Sequence, residues 1–179
     1  MPIDPLTALQ TLSEISIAVV GFIGIVAVYQ RVNNAQSELA RWRAYTVLTT
    51  SLAALLFSVI PIGLALLGIT GDVLWQYCSG GLAVGYLIVY ADLYRSRRHL
   101  STPSRLIIET HPWYGWTLSL MSIILATLLI LNATELLIET SPGVYYFGVV
   151  GAIVMACVIF GRTVFGPQAI QNPDLSDDA

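Results

Sequence analysis

Carboxylates beside long apolar stretches are the side chains of this 179-residue sequence best suited to chemistry. Glu14 is the most informative, because the apolar run from Ile15 to Tyr29 holds about 15 residues, or about 22 Å of helix. Crossing a bilayer takes about 30 Å, so a span that begins here must include Glu14. Such a carboxylate usually faces a protein interior or a water-filled cavity. The alternative is a place at the headgroup level, bonded to water or to a neighbouring helix end.

The helical neighbours of Glu14 form a strip along one face of the first predicted helix. At helical spacing Gln10, Glu14, Ala18, Gly21 and Ile25 share this face. The side chains of this strip are polar at its predicted outer end and small in the turns that follow. This pattern suits either a pore lining or close packing against another helix.

Further acidic and amide side chains lie near the ends of the predicted third and fourth helices. Asn132, Glu135 and Glu139 are expected to share a face, and together with Asp72 they make one end of the protein acidic. In an oligomer such acids would form rings that concentrate cations. The alternative is that they are simply the non-basic residues that the outward-facing surface of a membrane protein accepts. Asp92 is expected at the opposite interface, paired with a nearby arginine.

Small residues recur at intervals of four along several helices, which predicts close packing between helices. Gly81 and Gly85 form a GxxxG pair, which lets two backbones approach closely. Packing is a more frequent role for such a seam than lining a pore. The predicted packing residues are Gly21, Gly24, Gly81, Gly85, Gly148, Ala152 and Ala156.

Several chemistries are excluded by the residue types that the sequence lacks. All eight basic residues are arginines, so there is no lysine for a Schiff base or a Walker A loop. The two histidines, His99 and His111, fall outside the apolar runs and cannot ligate a haem within a membrane. Neither an HExxH helix nor a GxSxG nucleophile elbow occurs. We expect no enzymatic activity, no metal, no cofactor and no nucleic-acid partner.

The composition indicates that the elements carrying these residues lie in lipid. Hydrophobic residues make up 56% of the chain and charged residues 11%, against about 25% charged in soluble domains. We therefore predict an all-α membrane bundle of five transmembrane helices over residues 1–166, followed by a short acidic tail, 167–179. Pro61 is expected to kink the second helix. The predicted spans are Leu6–Tyr29, Arg43–Leu67, Leu74–Tyr94, Trp116–Leu137 and Val144–Phe165.

The arginines predict the orientation of this bundle. They all fall in the loops after helices 1 and 3 or at the end of helix 5, on one side of the predicted bundle. Basic residues concentrate on the cytoplasmic side of membrane proteins, so we expect the N-terminus outside and the C-terminus in the cytoplasm. The arginines are Arg31, Arg41, Arg43, Arg95, Arg97, Arg98, Arg105 and Arg162.

Three classes of function remain compatible with these features. The first is a homo-oligomeric pore or ion channel, because a five-helix chain encloses little space and conduction would need several copies around an axis. The second is a non-catalytic accessory subunit that binds partner membrane subunits through its small-residue faces. The third is a membrane enzyme or transporter with an unrecognised site. A first helix ending in Arg31, followed by a helix that opens on Arg41-Trp42-Arg43, resembles small bacterial membrane proteins, which implies the bacterial inner membrane.

Overall fold

The fold is an all-helical bundle, seen in a computed structural model. It consists of α1 (Pro5–Asn33), α2 (Glu38–Leu66), α3 (Asp72–Arg98), α4 (Pro112–Thr134) and α5 (Pro142–Phe165). The structure describes residues 5–33, 38–102, 112–136 and 139–165, with side chains for 5–26, 41–102, 116–136 and 139–162. The predicted acidic tail, 167–179, lies outside the described residues, as do Arg105 and His111.

The all-α class and the five predicted helices are confirmed. Within the described part of the chain, five helices are long and apolar enough to cross a membrane. The bounds differ from the predicted spans mainly where polar residues continue a helix beyond its apolar part. α1, for example, runs for 29 residues, or about 43 Å, and is longer than the hydrocarbon layer is thick.

The turn between α2 and α3 shows how local sequence ends a helix. Gly68 has a φ of 87°, a left-handed conformation that costs glycine little. The Gly68 N–H donates to the carbonyl of Ala65 at 3.0 Å, and the Ile69 N–H donates to that of Leu64 at 3.1 Å. These two bonds form a Schellman motif, which satisfies the last carbonyls of α2 and reverses the chain direction.

Pro61 lies inside α2 and leaves one backbone carbonyl without its helical donor. Proline has no N–H, so the carbonyl four residues earlier, that of Phe57, cannot receive the usual helix hydrogen bond. In the structure, the hydroxyl of Tyr145 on α5 donates to the Phe57 carbonyl. The Tyr145 side chain is fully buried. This contact satisfies the backbone at the proline and joins α2 to α5; the kink expected at Pro61 stays a prediction.

The apolar core occupies one half of the bundle. It joins the first turns of α1, the beginnings of α3 and α5, and the end of α4, all near the turns between α2 and α3 and between α4 and α5. The rings of Trp75 and Tyr145 lie 6.0 Å apart in this core. Its largest buried apolar members include Leu9, Leu74, Leu82, Leu129 and Val149.

The arrangement of the helices leaves α1 and α4 at the edges. α1 packs mainly on α2, and α4 packs mainly on α3, while α2 and α5 pack on each other. α2 begins, and α3 and α5 end, at the half opposite the core. The arginines at those positions therefore lie at the same end of the bundle, as the sequence predicts.

Candidate functional site

A cavity of about 660 Å³ occupies the arginine end of the bundle. Its walls come from the beginnings of α2 and α4 and from the second halves of α3 and α5. On α3 it extends from Arg97 to Leu82, fifteen residues apart, which corresponds to about 22 Å of helix. The volume falls within the range of about 300–1,000 Å³ that is typical of sites for small molecules and cofactors. We call this space the arginine-end cavity.

Three arginines from three different helices line the arginine-end cavity. Arg43 begins α2, Arg97 is near the end of α3, and Arg162 is near the end of α5; all three side chains are half-buried. Arg43 and Arg162 are close enough for their like charges to interact. The up-and-down order of the helices brings them together, because residues at the start of α2 and at the ends of α3 and α5 must meet at one end.

The interior of the cavity is apolar in effect, although several hydroxyl groups line it. Thr46 and Thr50 donate their hydroxyl protons to carbonyls one turn earlier in α2, and Ser122 does the same in α4. The hydroxyl of Tyr86 donates to the carbonyl of Gly148 at 2.7 Å. Because these donors are used within the protein, the inner cavity is better suited to apolar groups than to a polar solute.

One buried donor in the wall of the cavity has no acceptor. The indole Nε1 of Trp42 is buried and finds no hydrogen-bond partner among the described residues. Trp42 lies next to Arg43 and also lines the cavity. A buried N–H without an acceptor is costly to the fold, and this one is enclosed by protein atoms rather than facing the open space of the cavity.

The cavity opens on one side of the bundle. Every exposed side chain in its lining belongs to α3 or α4, whereas the lining residues of α2 and α5 are buried or half-buried. At the opposite end of the same two helices, a Cβ on Gly80 of α3 would lie 3.7 Å from Ala133 of α4. In the part of the chain that the structure describes, the two helices therefore pack at the core end and leave an opening at the arginine end. The exposed lining residues are Tyr90, Tyr94, Trp116, Leu120 and Ile123.

Asp92 lies near this end of α3 and joins two helices. Its Oδ2 accepts a hydrogen bond from the Tyr45 hydroxyl of α2 at 2.7 Å. Further along α3, the Arg98 guanidinium donates to the Tyr94 hydroxyl at 2.8 Å and lies 4.6 Å from the centre of that ring. The sequence predicted an arginine as the partner of Asp92, and the structure shows a tyrosine hydroxyl in contact with it.

Asn132 is fully buried at the opposite, core end of the bundle. Its Nδ2 donates to the Ser79 hydroxyl of α3 at 2.8 Å and to the Ser141 carbonyl at 3.2 Å. Its Oδ1 accepts the Ser141 N–H at 2.8 Å. Asn132 therefore fixes the end of α4 against α3 and against the turn that leads into α5.

Glu135 does not share a face with Asn132. The helix ends at Thr134, and Glu135 has a φ of 54°, so its side chain leaves the helical register and is exposed. Its carboxylate accepts a hydrogen bond from Thr140 at 2.7 Å. That bond, helped by Gln76, holds the pKa of Glu135 below its ordinary value. The acidic side chains at the core end are thus separate surface groups within a single chain.

Glu14 and its strip lie on the outside of the bundle. Gln10, Glu14, Ala18, Gly21 and Ile25 are all exposed, while the opposite face of α1 is buried against the neighbouring helices. The periodicity therefore predicted the shared face correctly. It could not tell what that face contacts, and in a single chain it contacts none of the other described helices closely.

The predicted packing residues divide into two groups. A Cβ on Gly85 would collide with the Phe57 ring, and one on Gly148 would lie 2.9 Å from Leu82 and 3.0 Å from Leu129. Ala152 and Ala156 are buried. By contrast, a Cβ on the remaining three glycines would meet no heavy atom within 4 Å among the described residues; these are Gly21, Gly24 and Gly81.

Neither the arginine-end cavity nor the contact of Tyr145 with Phe57 was predicted from the sequence. A signal for the contact was present, since Pro61 implies a free carbonyl at Phe57. The cavity had a weaker signal, the arginines of three helices at one end. Comparison with known protein families, curated proteins and solved structures finds no match for this chain. The class that the fold itself defines is a helical protein with five helices long and apolar enough to cross a membrane.

Proposed function

We propose that this chain is a non-enzymatic, multi-pass membrane protein that assembles from several copies and conducts ions along their shared axis. The exposed position of Glu14 carries this proposal. The carboxylate lies within the apolar span Pro5–Val26, nine residues after its start, or about 14 Å along the helix. A location in the plasma membrane, the inner membrane of a bacterium, with the arginine end in the cytoplasm, is part of the proposal and is supported by the positive-inside rule.

An exposed carboxylate in a membrane span needs a partner or water. A charged side chain at the centre of a transmembrane helix costs about 2.5–3.5 kcal/mol when it faces lipid. Glu14 has no cover in the described part of a single chain, since its side chain is on the outer surface of α1. Copies of the chain arranged with α1 toward a common axis would surround the carboxylates with water and remove this cost.

The residues around Glu14 suit such an arrangement. Gln10 continues the polar end of the strip, and Ala18 and Gly21 make the next turns narrow. Small residues let neighbouring α1 helices approach closely. A ring of carboxylates in a pore attracts cations, so the expected permeant ion is a cation.

The first test measures oligomeric mass and ion flux together. The purified chain should give one defined oligomer in mild detergent and should pass cations in liposomes. Glu14→Gln should keep the oligomer and lower cation flux by about tenfold or more, because focusing by fixed charge raises local ion concentration by that order. Glu14→Asp is the matched control, since it keeps the negative charge at this position. A stable monomer without flux contradicts the proposal.

An accessory subunit is the second candidate, and the same face of α1 supports it. Ile25 is 71% exposed and lies one turn after Gly21, where open space would accept a partner helix. In this case the chain would be monomeric alone and would co-purify with one other membrane protein at a fixed ratio. Gly21→Leu should abolish that co-purification, whereas in the pore proposal it should disrupt the chain's own oligomer.

A further inference from the structure

We propose that the arginine-end cavity binds one anionic phospholipid per chain. The phosphate of the lipid would lie among Arg43, Arg97 and Arg162, and an acyl chain would extend along the apolar interior toward Leu82. This site is separate from the α1 strip and does not depend on how many copies of the chain assemble.

The charge at the mouth of the cavity identifies the headgroup. Three guanidinium groups from three helices line one space, and guanidinium groups bind phosphate through paired, charge-assisted hydrogen bonds. The proposal needs only their positive charge and their shared location.

The length and lining of the cavity identify the apolar part of the ligand. About 22 Å of helix separates Arg97 from Leu82, so the space is long and runs along the helices, as an acyl chain in a bilayer does. The hydroxyls of Thr50, Tyr86 and Ser122 are already bonded to protein carbonyls, which leaves a largely apolar wall. A free phosphate or another small anion would occupy the mouth and leave this length unfilled.

The opening of the cavity identifies the source of the ligand. The exposed lining residues belong to α3 and α4, two of the helices that are apolar enough to cross a membrane. In a bilayer the gap between them faces the acyl chains of surrounding lipids. A lipid can therefore enter sideways without leaving the membrane. Basic sites between transmembrane helices on the cytoplasmic side commonly hold anionic headgroups in this way.

The test counts bound phosphatidylglycerol per chain by native mass spectrometry after purification in mild detergent. Phosphatidylcholine with the same acyl chains tests the need for a net negative headgroup. The wild-type chain should retain one phosphatidylglycerol and lose phosphatidylcholine. Each of Arg43→Gln and Arg162→Gln should weaken retention by about tenfold, and Arg41→Gln should leave it unchanged, because Arg41 is exposed and does not line the cavity.

A second variant tests the acyl-chain part without changing charge. Ala53→Phe places a ring into the half-buried middle of the cavity wall on α2 and should abolish phosphatidylglycerol retention. Thermal unfolding without added lipid checks that each variant is folded. Equal retention by wild type and the double variant Arg43→Gln/Arg162→Gln would overturn the proposal. Displacement of the lipid by inorganic phosphate at equal molar concentration, with Ala53→Phe still binding phosphate, would also overturn it by assigning a small-anion site.

Discussion

Removal of the Tyr145 hydroxyl tests whether a bond between helices compensates for a proline in the middle of a span. Tyr145→Phe deletes one oxygen and keeps the buried ring in place. The Phe57 carbonyl then loses the donor that replaces the missing N–H of Pro61. Phe57 lies nine residues from the end of the apolar span Arg41–Leu66, or about 14 Å along the helix. Water is scarce at that depth, so the carbonyl would have no other donor.

The expected loss of stability depends on whether the Phe57 carbonyl can find another hydrogen-bond donor. A buried polar group left without a partner costs about 1–3 kcal/mol. Hydrogen bonds between transmembrane helices contribute about 0.6 kcal/mol on average and about 1.7 kcal/mol at most. Because Pro61 prevents the helix from supplying a substitute donor, we expect Tyr145→Phe to lower the free energy of unfolding by about 1.5 kcal/mol, near the upper end of that range.

A double-mutant cycle with Pro61→Ala isolates the physical cause. Alanine at position 61 has an N–H that can donate to the Phe57 carbonyl, so the helix itself then satisfies the acceptor. In the Pro61→Ala background, Tyr145→Phe should therefore lower the free energy of unfolding by about 0.5 kcal/mol or less. The coupling between the two positions should be about 1 kcal/mol, because alanine at position 61 restores a donor and so reduces the cost of losing the Tyr145 hydroxyl.

Reversible unfolding in mixed micelles of increasing denaturing detergent gives these four free energies. Tyr77→Phe is the matched control, since Tyr77 is 67% exposed and should tolerate loss of its hydroxyl. An equal cost of Tyr145→Phe with proline and with alanine at position 61 would refute the reasoning. It would mean that the hydroxyl stabilises the fold by some other means than supplying the donor that proline lacks.

Three further predictions use the same unfolding assay or a titration. Asn132→Leu should destabilise the bundle by about 1–3 kcal/mol, because it leaves buried partners unsatisfied. Gly148→Val should cost about 1–3 kcal/mol by overpacking, while Gly21→Val should change the stability of the monomer by less than about 0.5 kcal/mol. Thr140→Val should raise the pKa of Glu135 toward its ordinary value in an NMR titration. Since the hydrogen bond depresses that pKa, its contribution to stability is present above the unfolded pKa of about 4.5 and is lost as the pH falls below it.

The existence and order of the helices were predictable because the bilayer imposes a minimum length on each apolar run. A stretch of about 20 apolar residues has few alternatives to a helix when no water is present to satisfy its backbone. The end of α4 was not predictable in this way. The predicted span continued to Leu137, but Asn132 bonds to Ser141 and the backbone of Glu135 turns left-handed. A side-chain hydrogen bond with the next turn, rather than hydropathy, decides where this helix stops.

The positions of the candidate site residues were predictable only in part. Helical periodicity placed Gln10, Glu14 and Gly21 on one face, and the structure agrees. Periodicity does not say whether a face is buried or exposed, because in lipid both faces of a helix are apolar. For this reason Gly148 and Gly21 look alike in the sequence, although one is packed against leucines and the other has open space around it.

The two halves of the bundle differ for an electrostatic reason. One half closes over an apolar core, whereas the arginine end carries Arg43, Arg97 and Arg162 on converging helices. Two like charges about 6 Å apart repel by roughly 3 kcal/mol at an effective dielectric constant of 20. Repulsion of this size would oppose the packing energy gained by closing this end of the bundle. We therefore expect the positive charge of these arginines to keep the helices apart at the arginine end. An anionic headgroup among them would lower the repulsion, so the gap and the proposed lipid have one cause. Arg43→Leu should therefore close the cavity and stabilise the lipid-free protein, although the same substitution abolishes lipid binding.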